Sequence, residues 1–438
     1  MTPSTGSGSV EHVEVAVVGG GQAGLSASWF LARAGVEHVV LERETAGHDW
    51  QDRRWDSFTL VTPNVQCRLP GFPYPGDDPY GFMTREETVA YLAEYVRRTR
   101  PPLRERTAVR ELRQSGDGGF VLELDTPEGA ETLHAEQVVV AVGGYHVPRV
   151  PRLAERLPAD LVQVHSAAYQ RPDALPEGAV LVVGTGQSGA QIAEDLHLAG
   201  RQVHLVVGSA PRCARRYRGR DCIDWLEEMG LYDVAIEDTP GGLREREKTN
   251  HYMTGRDGGH DIDLRRFALE GMALYGRLVD VDGSRLAFAP TLEASLDRAD
   301  KVAEDIKDAI DRHVAATAVP APAEARYTPV WRPPAEPTEL DLRAAGITSV
   351  VWATGFTSDF RWVHVPVFDG RGAVGHHRGV TAVDGLHFLG LPWLHTWGSG
   401  RFAGLTRDAE HVVDHVVDRA VGRAASGQRP QRHLRLTS

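Results

Sequence analysis

Gly19, Gly21 and Gly24 stand in GxGxxG spacing directly after the apolar run VEVAVV and directly before a small-residue helix. In that setting the first glycine makes a tight turn, the second lets backbone approach a pyrophosphate, and the third lets helix pack on strand. The helix amino end then favours phosphate charge. Gln22 and Ala23, within the same loop, are expected contacts. Glu42 closes the next strand, with Arg43 beside it. A carboxylate there either accepts hydrogen bonds from ribose hydroxyls or is simply solvated, and the surrounding strand and helix favour the ribose. The first site is therefore expected to take an unphosphorylated ribose, as in FAD or NAD.

Gly184, Gly186 and Gly189 repeat the spacing, with Thr185, Gln187 and Ser188 in the loop. Gln187 and Ser188 are read as partners for a dinucleotide's phosphates or amide. The strand VHLVV that follows ends in Gly208 and Ser209 without an acid, and Arg212, Arg215 and Arg216 come soon after. Guanidinium groups suit a ribose 2′-phosphate, so the second site is expected to prefer NADPH to NADH. Arg218 and Arg220 extend the basic run, and not all five can touch one phosphate. The expectation centres on Arg212 and one of the next two, the alternative being a solvated basic loop. The two first glycines lie 165 residues apart (184 − 19), far more than one βαβ unit spans.

Bulk properties limit the other options. A chain of 438 residues is long for one core, so two domains are expected. Its formal charge of −12 repels nucleic acid and anionic lipid, leaving a small molecule as the expected partner. Cys67, Cys213 and Cys222 form no CxxC pair, which argues against a disulfide framework, a zinc knuckle or a redox-active pair. No apolar run reaches the roughly 18 residues of a membrane helix, and Val13 to Val18 lacks the flanks of a signal peptide. A cytoplasmic protein is expected, with a homodimer as the base-rate oligomer. Among 19 histidines, His376 and His377 are adjacent and His251 and His260 flank a glycine-rich loop, but none has ligand spacing, so no metal is expected.

The elements that must position these residues give an α/β chain with two Rossmann-like dinucleotide-binding domains. Residues 10–150 read as the first part of one domain, 151–334 as the second domain with a helical insert at 211–334, and 335–423 as a return to the first. Residues 1–9 and 424–438 read as mobile tails. Phe120 to Leu124 and Thr132 to Val142 form a strand meander. Within the insert, Leu278 to Phe288 reads as a hairpin turning at Asp282 and Gly283. Leu296, Ala299, Val302, Ile306, Ile310 and Val314 form one stripe on a helix of about seven turns. The strand Ser349 to Trp352 and a helix from about Thr406 are expected back in the first domain.

Several segments resemble the class B flavin-dependent monooxygenases, within the two-dinucleotide-binding-domain flavoproteins. AGHDW, ending at Trp50, is similar to the family's GG-x-W segment, and LPGFPYPGDDPYGFMTREETVAYLAEYV to its proline-rich loop and YL-x-x-Y helix. HSAAY, His165 to Tyr169, matches the second half of the fingerprint FxGxxxHxxxW/F/Y, whereas Ala159 and Leu161 replace the Phe and Gly of the first half. WATGF, Trp352 to Phe356, resembles the family's ATG-like linker. The resemblance covers Val13 to about Val421.

It implies FAD at the first site and NADPH at the second, with Trp50, Thr62, Val109, Gly143 and Gly355 joining the cofactor contacts. It implies that NADPH reduces the flavin, dioxygen forms a C4a-hydroperoxyflavin, and one oxygen atom passes to a soft nucleophile. The protein then supplies position and dryness rather than a triad. Asn64 is the one catalytic candidate, its amide beside the flavin, although an asparagine after Pro63 also suits a turn. His395 and Trp397 are placed near the flavin or substrate, packing being the plainer reading. With the Baeyer-Villiger fingerprint incomplete, oxygenation of a nitrogen or sulfur centre is expected, N-hydroxylation first. A ketone monooxygenase, a reductase or oxidase without oxygen insertion, and a flavin-bound sensor whose insert docks a partner remain as alternatives.

Overall fold

The computed structural model describes residues 11–116 and 118–425. The expected tails fall outside them, apart from the last residues of the final helix. The chain opens with β1 (Glu11–Val18), α1 (Gln22–Arg33) and β2 (His38–Leu41). β1 becomes fully buried towards its end, as a strand covered on both faces must be. It pairs in parallel with β2 on one side and with the long strand Gly129–Val140 on the other. Leu103–Arg104 extends the sheet beyond β2. On the far side Phe120–Thr126 and Ala108–Gln114 complete the meander, antiparallel to their neighbours. Leu386–Phe388 returns late in the chain and pairs with the end of the long strand.

The second sheet is built from β3 (Ala179–Val183), α2 (Gln187–Leu198) and β4 (Val203–Val206). The next strand, β5 (Ala273–Tyr275), lies inside the segment read as a helical insert, yet it pairs in parallel with β4. The hairpin Leu278–Asp282 with Arg285–Phe288 follows. Next comes α3 (Leu292–Thr317), which buries Leu296, Ala299 and Ile310 along the expected stripe.

One placement corrects the sequence reading. β6 (Ile347–Trp352) does not return to the first sheet; it sits between β3 and Val162–His165 at the heart of the second, parallel to both. Its residues Val350, Val351 and Trp352 are buried almost completely, so it needs cover on both faces, which a central strand has and a linker lacks. The return begins only after Trp352. The last helix, α4 (Phe402–Ala425), packs on α1, and Gln137 Nε2 of the first sheet donates to the Val416 carbonyl at 2.9 Å. Helix Arg85–Thr99, the YL-x-x-Y segment, pins the proline-rich loop: Tyr91 donates to the Phe72 carbonyl at 2.7 Å and Tyr95 to that of Pro70 at 3.2 Å.

Candidate functional site

At the first glycine loop the backbone leaves no room for a side chain at Gly19 or Gly24. Gly19 has φ +112°, and a Cβ there would stand 2.7 Å from the Ala141 carbonyl oxygen. A Cβ on Gly24 would meet the Gly19 carbonyl oxygen at 1.8 Å, the contact that lets α1 sit against β1. Gly21, capping α1, faces open space, as a residue lying under a pyrophosphate must. Ala23 is buried in the first turn. Glu42 accepts from Gly20 N at 2.6 Å and from Glu44 N at 2.9 Å. One lone pair on each oxygen is used, leaving the others for ribose hydroxyls. Arg43 is exposed and 3.9 Å from Asp49. Thr107 N donates to the Glu42 carbonyl at 2.8 Å, so the strand carrying Val109 starts beside that ribose end. Gly143, at φ +74°, follows the long strand whose Ala141 abuts Gly19.

Beyond this loop Trp50 Nε1 donates to Gln22 Oε1 at 2.7 Å, and Gln22 Nε2 donates to the Gly400 carbonyl at 3.1 Å. The Trp50 ring stacks on Phe402 at 5.7 Å, so the first turn of α1 and the start of α4 are fastened through Gln22 and Trp50. Thr62 is half-buried. Asn64 is only 3% exposed, and its amide is fully engaged. Oδ1 accepts from Met83 N at 2.8 Å, while Nδ2 donates to the Asp78 carbonyl at 2.9 Å and pairs with the Tyr74 hydroxyl. The geometry therefore gives Asn64 a structural place in the turn around residues 78–83, the turn role that its position after Pro63 also suited.

The second loop repeats the first closely. Gly184 has φ +108° with Ala353 O 2.6 Å from its would-be Cβ, and a Cβ on Gly189 would meet Gly184 O at 2.0 Å. Thr185 Oγ1 accepts from Gly208 N at 3.0 Å, tying the loop to the end of β4. Ser188 is half-buried in the first turn of α2 and Ser209 is exposed past β4. Gln187, expected to bond the dinucleotide, instead pairs with both backbone groups of Met253. Gly355, at φ +83°, accepts from Arg149 N at 2.9 Å and lies 3.0 Å from His165 Nε2.

The basic run departs most from the sequence reading. Arg212 is 3% exposed and donates to Asp300 of α3 at 2.6 Å, with Tyr327 under its guanidinium. Arg215 is 1% exposed, bound to Asp221 at 2.5 Å and to the Val61 carbonyl at 2.8 Å. Neither is free for a phosphate, because Asp300, distant in sequence, neutralises Arg212, and Asp221, six residues on, neutralises Arg215. Arg216 is exposed, its guanidinium on the Gly258 carbonyl at 2.8 Å. Replacing Arg212 by alanine removes one of the two arginines that hold Asp300, Arg265 remaining at 2.8 Å, so thermal unfolding should report a loss of about 1.5–3 kcal/mol, with the NADPH-to-NADH preference unchanged.

Sequence reasoning missed Arg277. Val207 N donates to the Tyr275 carbonyl at 2.8 Å, so Arg277 follows two residues after the point where β5 pairs with the end of β4. It is exposed, and no carboxylate of the described residues pairs with its side chain. Only the strand pairing brings it there.

The cysteines are shielded from solvent. All three are free and buried. Burial pushes the Cys67 thiol up to about 12, and hydrogen bonding to Cys213, then burial, raises that of Cys222. A thiol reagent should therefore label native protein slowly and all three residues after denaturant. Among the described residues no group of three His, Cys, Asp or Glu is placed to hold a metal, and no helix is long and apolar enough to cross a membrane.

The profile of a family described as pyridine nucleotide-disulphide oxidoreductase matches residues 16–223. The uncharacterized oxidoreductase CzcO-like of Geobacillus kaustophilus is 30% identical over 405 residues, 92% of this chain and 97% of that one. The indole-3-pyruvate monooxygenase YUCCA1 of Oryza sativa is 32% identical over 193 residues, 44% of this chain and 47% of its own. Among solved structures, a flavin-containing monooxygenase from Stenotrophomonas maltophilia superposes with a TM-score of 0.64 at 21% identity, covering 94% of this chain and all of that one.

Proposed function

The chain belongs to the CzcO-like oxidoreductases, has the fold of the class B flavin monooxygenases and uses FAD and NADPH; from that premise we propose that it oxygenates a nitrogen or sulfur centre of a small molecule, N-hydroxylation first. The observation that carries this reading is the presence of two phosphate cradles in one chain. Flavin chemistry supplies the reaction when bound: NADPH gives two electrons, one atom of dioxygen goes to the substrate, and the other leaves as water.

The chain's own residues bind and orient. Gly19, Gly21 and Gly24 make the cradle for the FAD pyrophosphate, and Glu42 holds its ribose. Trp50, Gln22 and Gly400 form a bonded wall beside it that excludes water. Gly184, Gly186 and Gly189 cradle NADPH, with Arg277 and Ser209 at its 2′-phosphate in place of Arg212 and Arg215. Residues 10–150 together with the segment after Trp352 form the FAD side, and 151–352 the NADPH side. The same reading makes this a cytoplasmic enzyme.

Arg277→Gln should raise the KM for NADPH about tenfold or more while leaving NADH unaffected, a charge-assisted contact being lost. Steady-state kinetics with both cofactors check it. The favoured reaction is tested with isotopically labelled dioxygen and a panel of amines, sulfides and ketones: label in a hydroxylamine supports N-hydroxylation, and label in an ester instead establishes the ketone reading. A second reading draws on the relative named as an indole-3-pyruvate monooxygenase, whose substrate is a 2-oxo acid. In that case only 2-oxo acids would accelerate NADPH use.

A further inference from the structure

Between the two cradles lies a side-chain cluster that neither cradle uses. Residues 249–253 border the second: the Thr249 methyl is 3.6 Å from the would-be Cβ of Gly186, and Met253 is paired with Gln187. Gly400 borders the first through its bond from Gln22. Arg401 follows Gly400 directly, and its side chain crosses to the other border. Nη1 donates to the Trp397 carbonyl at 2.6 Å, Nη2 donates to Asn250 Oδ1 at 2.9 Å, and the guanidinium lies 4.4 Å from the Trp397 ring centroid. Trp397 Nε1 donates to the same Asn250 oxygen at 3.2 Å, and Tyr232 packs on the indole at 4.9 Å.

The charge in this cluster is unbalanced. No carboxylate of the described residues lies within ion-pair distance of Arg401, unlike Arg212 and Arg215. His251, 6.1 Å from the indole, does not add to the charge, because burial and then Arg401 hold its pKa down to about 4. Arg401 is half-buried, and the N–H groups not used by Trp397 and Asn250 remain for an outside acceptor. Holding a guanidinium partly desolvated without a counter-charge is unfavourable, and a planar bidentate anion is the partner that its fork fits best.

We infer that Arg401 anchors a carboxylate of the substrate, with Trp397 as the surface for its apolar body, so that the enzyme acts on small organic acids bound between the two dinucleotide folds. The inference rests on the monooxygenase reading proposed above, in which the two cradles on either side of this cluster hold FAD and NADPH. It fits an amino acid as the N-hydroxylated amine and equally a 2-oxo acid.

The test is equilibrium binding to flavin-loaded, full-length protein, without NADPH turnover or dioxygen. Hydrocinnamate and its methyl ester are titrated into the wild type, R401Q and R401K by calorimetry, with NADP+ as a control. Hydrocinnamate should bind more tightly than the ester, and R401Q should weaken the acid about tenfold or more while leaving the ester and NADP+ unchanged. R401K, which keeps the charge but not the fork, should fall between, and it carries the test if R401Q loses flavin. Equal binding of acid and ester to the wild type would overturn the inference. So would an R401Q loss confined to NADP+, which would make Arg401 a cofactor residue. Because nothing is oxygenated here, failure of the monooxygenase reading shows elsewhere, in label incorporation, and the two are separable.

Discussion

Gly24→Ala should yield a protein purified without its flavin, colourless where the wild type is yellow. The methyl group would stand 1.8 Å from the Gly19 carbonyl oxygen, far inside van der Waals contact, and the atom it meets is backbone. Either α1 moves away from β1 or the Gly19 turn is lost, and both spoil the cradle at the helix amino end. Overpacking of this kind costs about 1–3 kcal/mol, which a chain with an extensive core can absorb. The variant should therefore keep its far-ultraviolet circular dichroism while its flavin absorbance disappears. Stoichiometric flavin in Gly24→Ala would show that the first cradle is not where FAD is held.

Gly189→Ala should separate the two sites. Its Cβ would meet Gly184 O at 2.0 Å and the Ala353 side chain at 2.9 Å, so the second cradle deforms as the first does in Gly24→Ala. The first cradle, on another sheet, is untouched. This variant should remain yellow, and its anaerobic reduction by NADPH should slow by about a hundredfold or more as dinucleotide affinity is lost. A chemical reductant should still bleach it at the wild-type rate. Unchanged reduction by NADPH would place the hydride donor elsewhere.

These two variants act where the sequence was most legible. A strand, three glycines and a helix are local, and both loops have their close approaches where the spacing puts them: Gly24 on Gly19 and Gly189 on Gly184. Glu42 was equally readable, because its place depends only on β2 following α1. What could not be read depends on tertiary contacts that the sequence does not display. Arg212 and Arg215 looked like phosphate ligands because sequence shows charge but not the acid that meets it, here Asp300 and Asp221 in the fold. Arg277 was hidden for the converse reason, its segment reaching β4 only through strand pairing. Asn64 had the right neighbours in sequence, but its amide is engaged by residues 74–83. β6 was assigned to the first domain because apolar strands carry no label for their sheet, and Trp352 marks the boundary only once its pairing is seen. Trp397 stood out in the sequence, whereas its partners Asn250 and Arg401 come from segments far apart.

The central claim is that the two cradles work on one flavin to activate dioxygen. The most direct measurement mixes the flavin-loaded protein with NADPH under anaerobic conditions, then admits air and follows flavin absorbance by stopped flow while assaying peroxide. The account predicts rapid bleaching by NADPH and slower bleaching by NADH. Aeration should then give a distinct transient absorbance before the yellow colour returns, with little peroxide when a substrate is present. Bleaching followed by direct return to yellow, with peroxide equal to the NADPH consumed whatever organic acid, amine or sulfide is added, would contradict it and make the protein an NADPH oxidase.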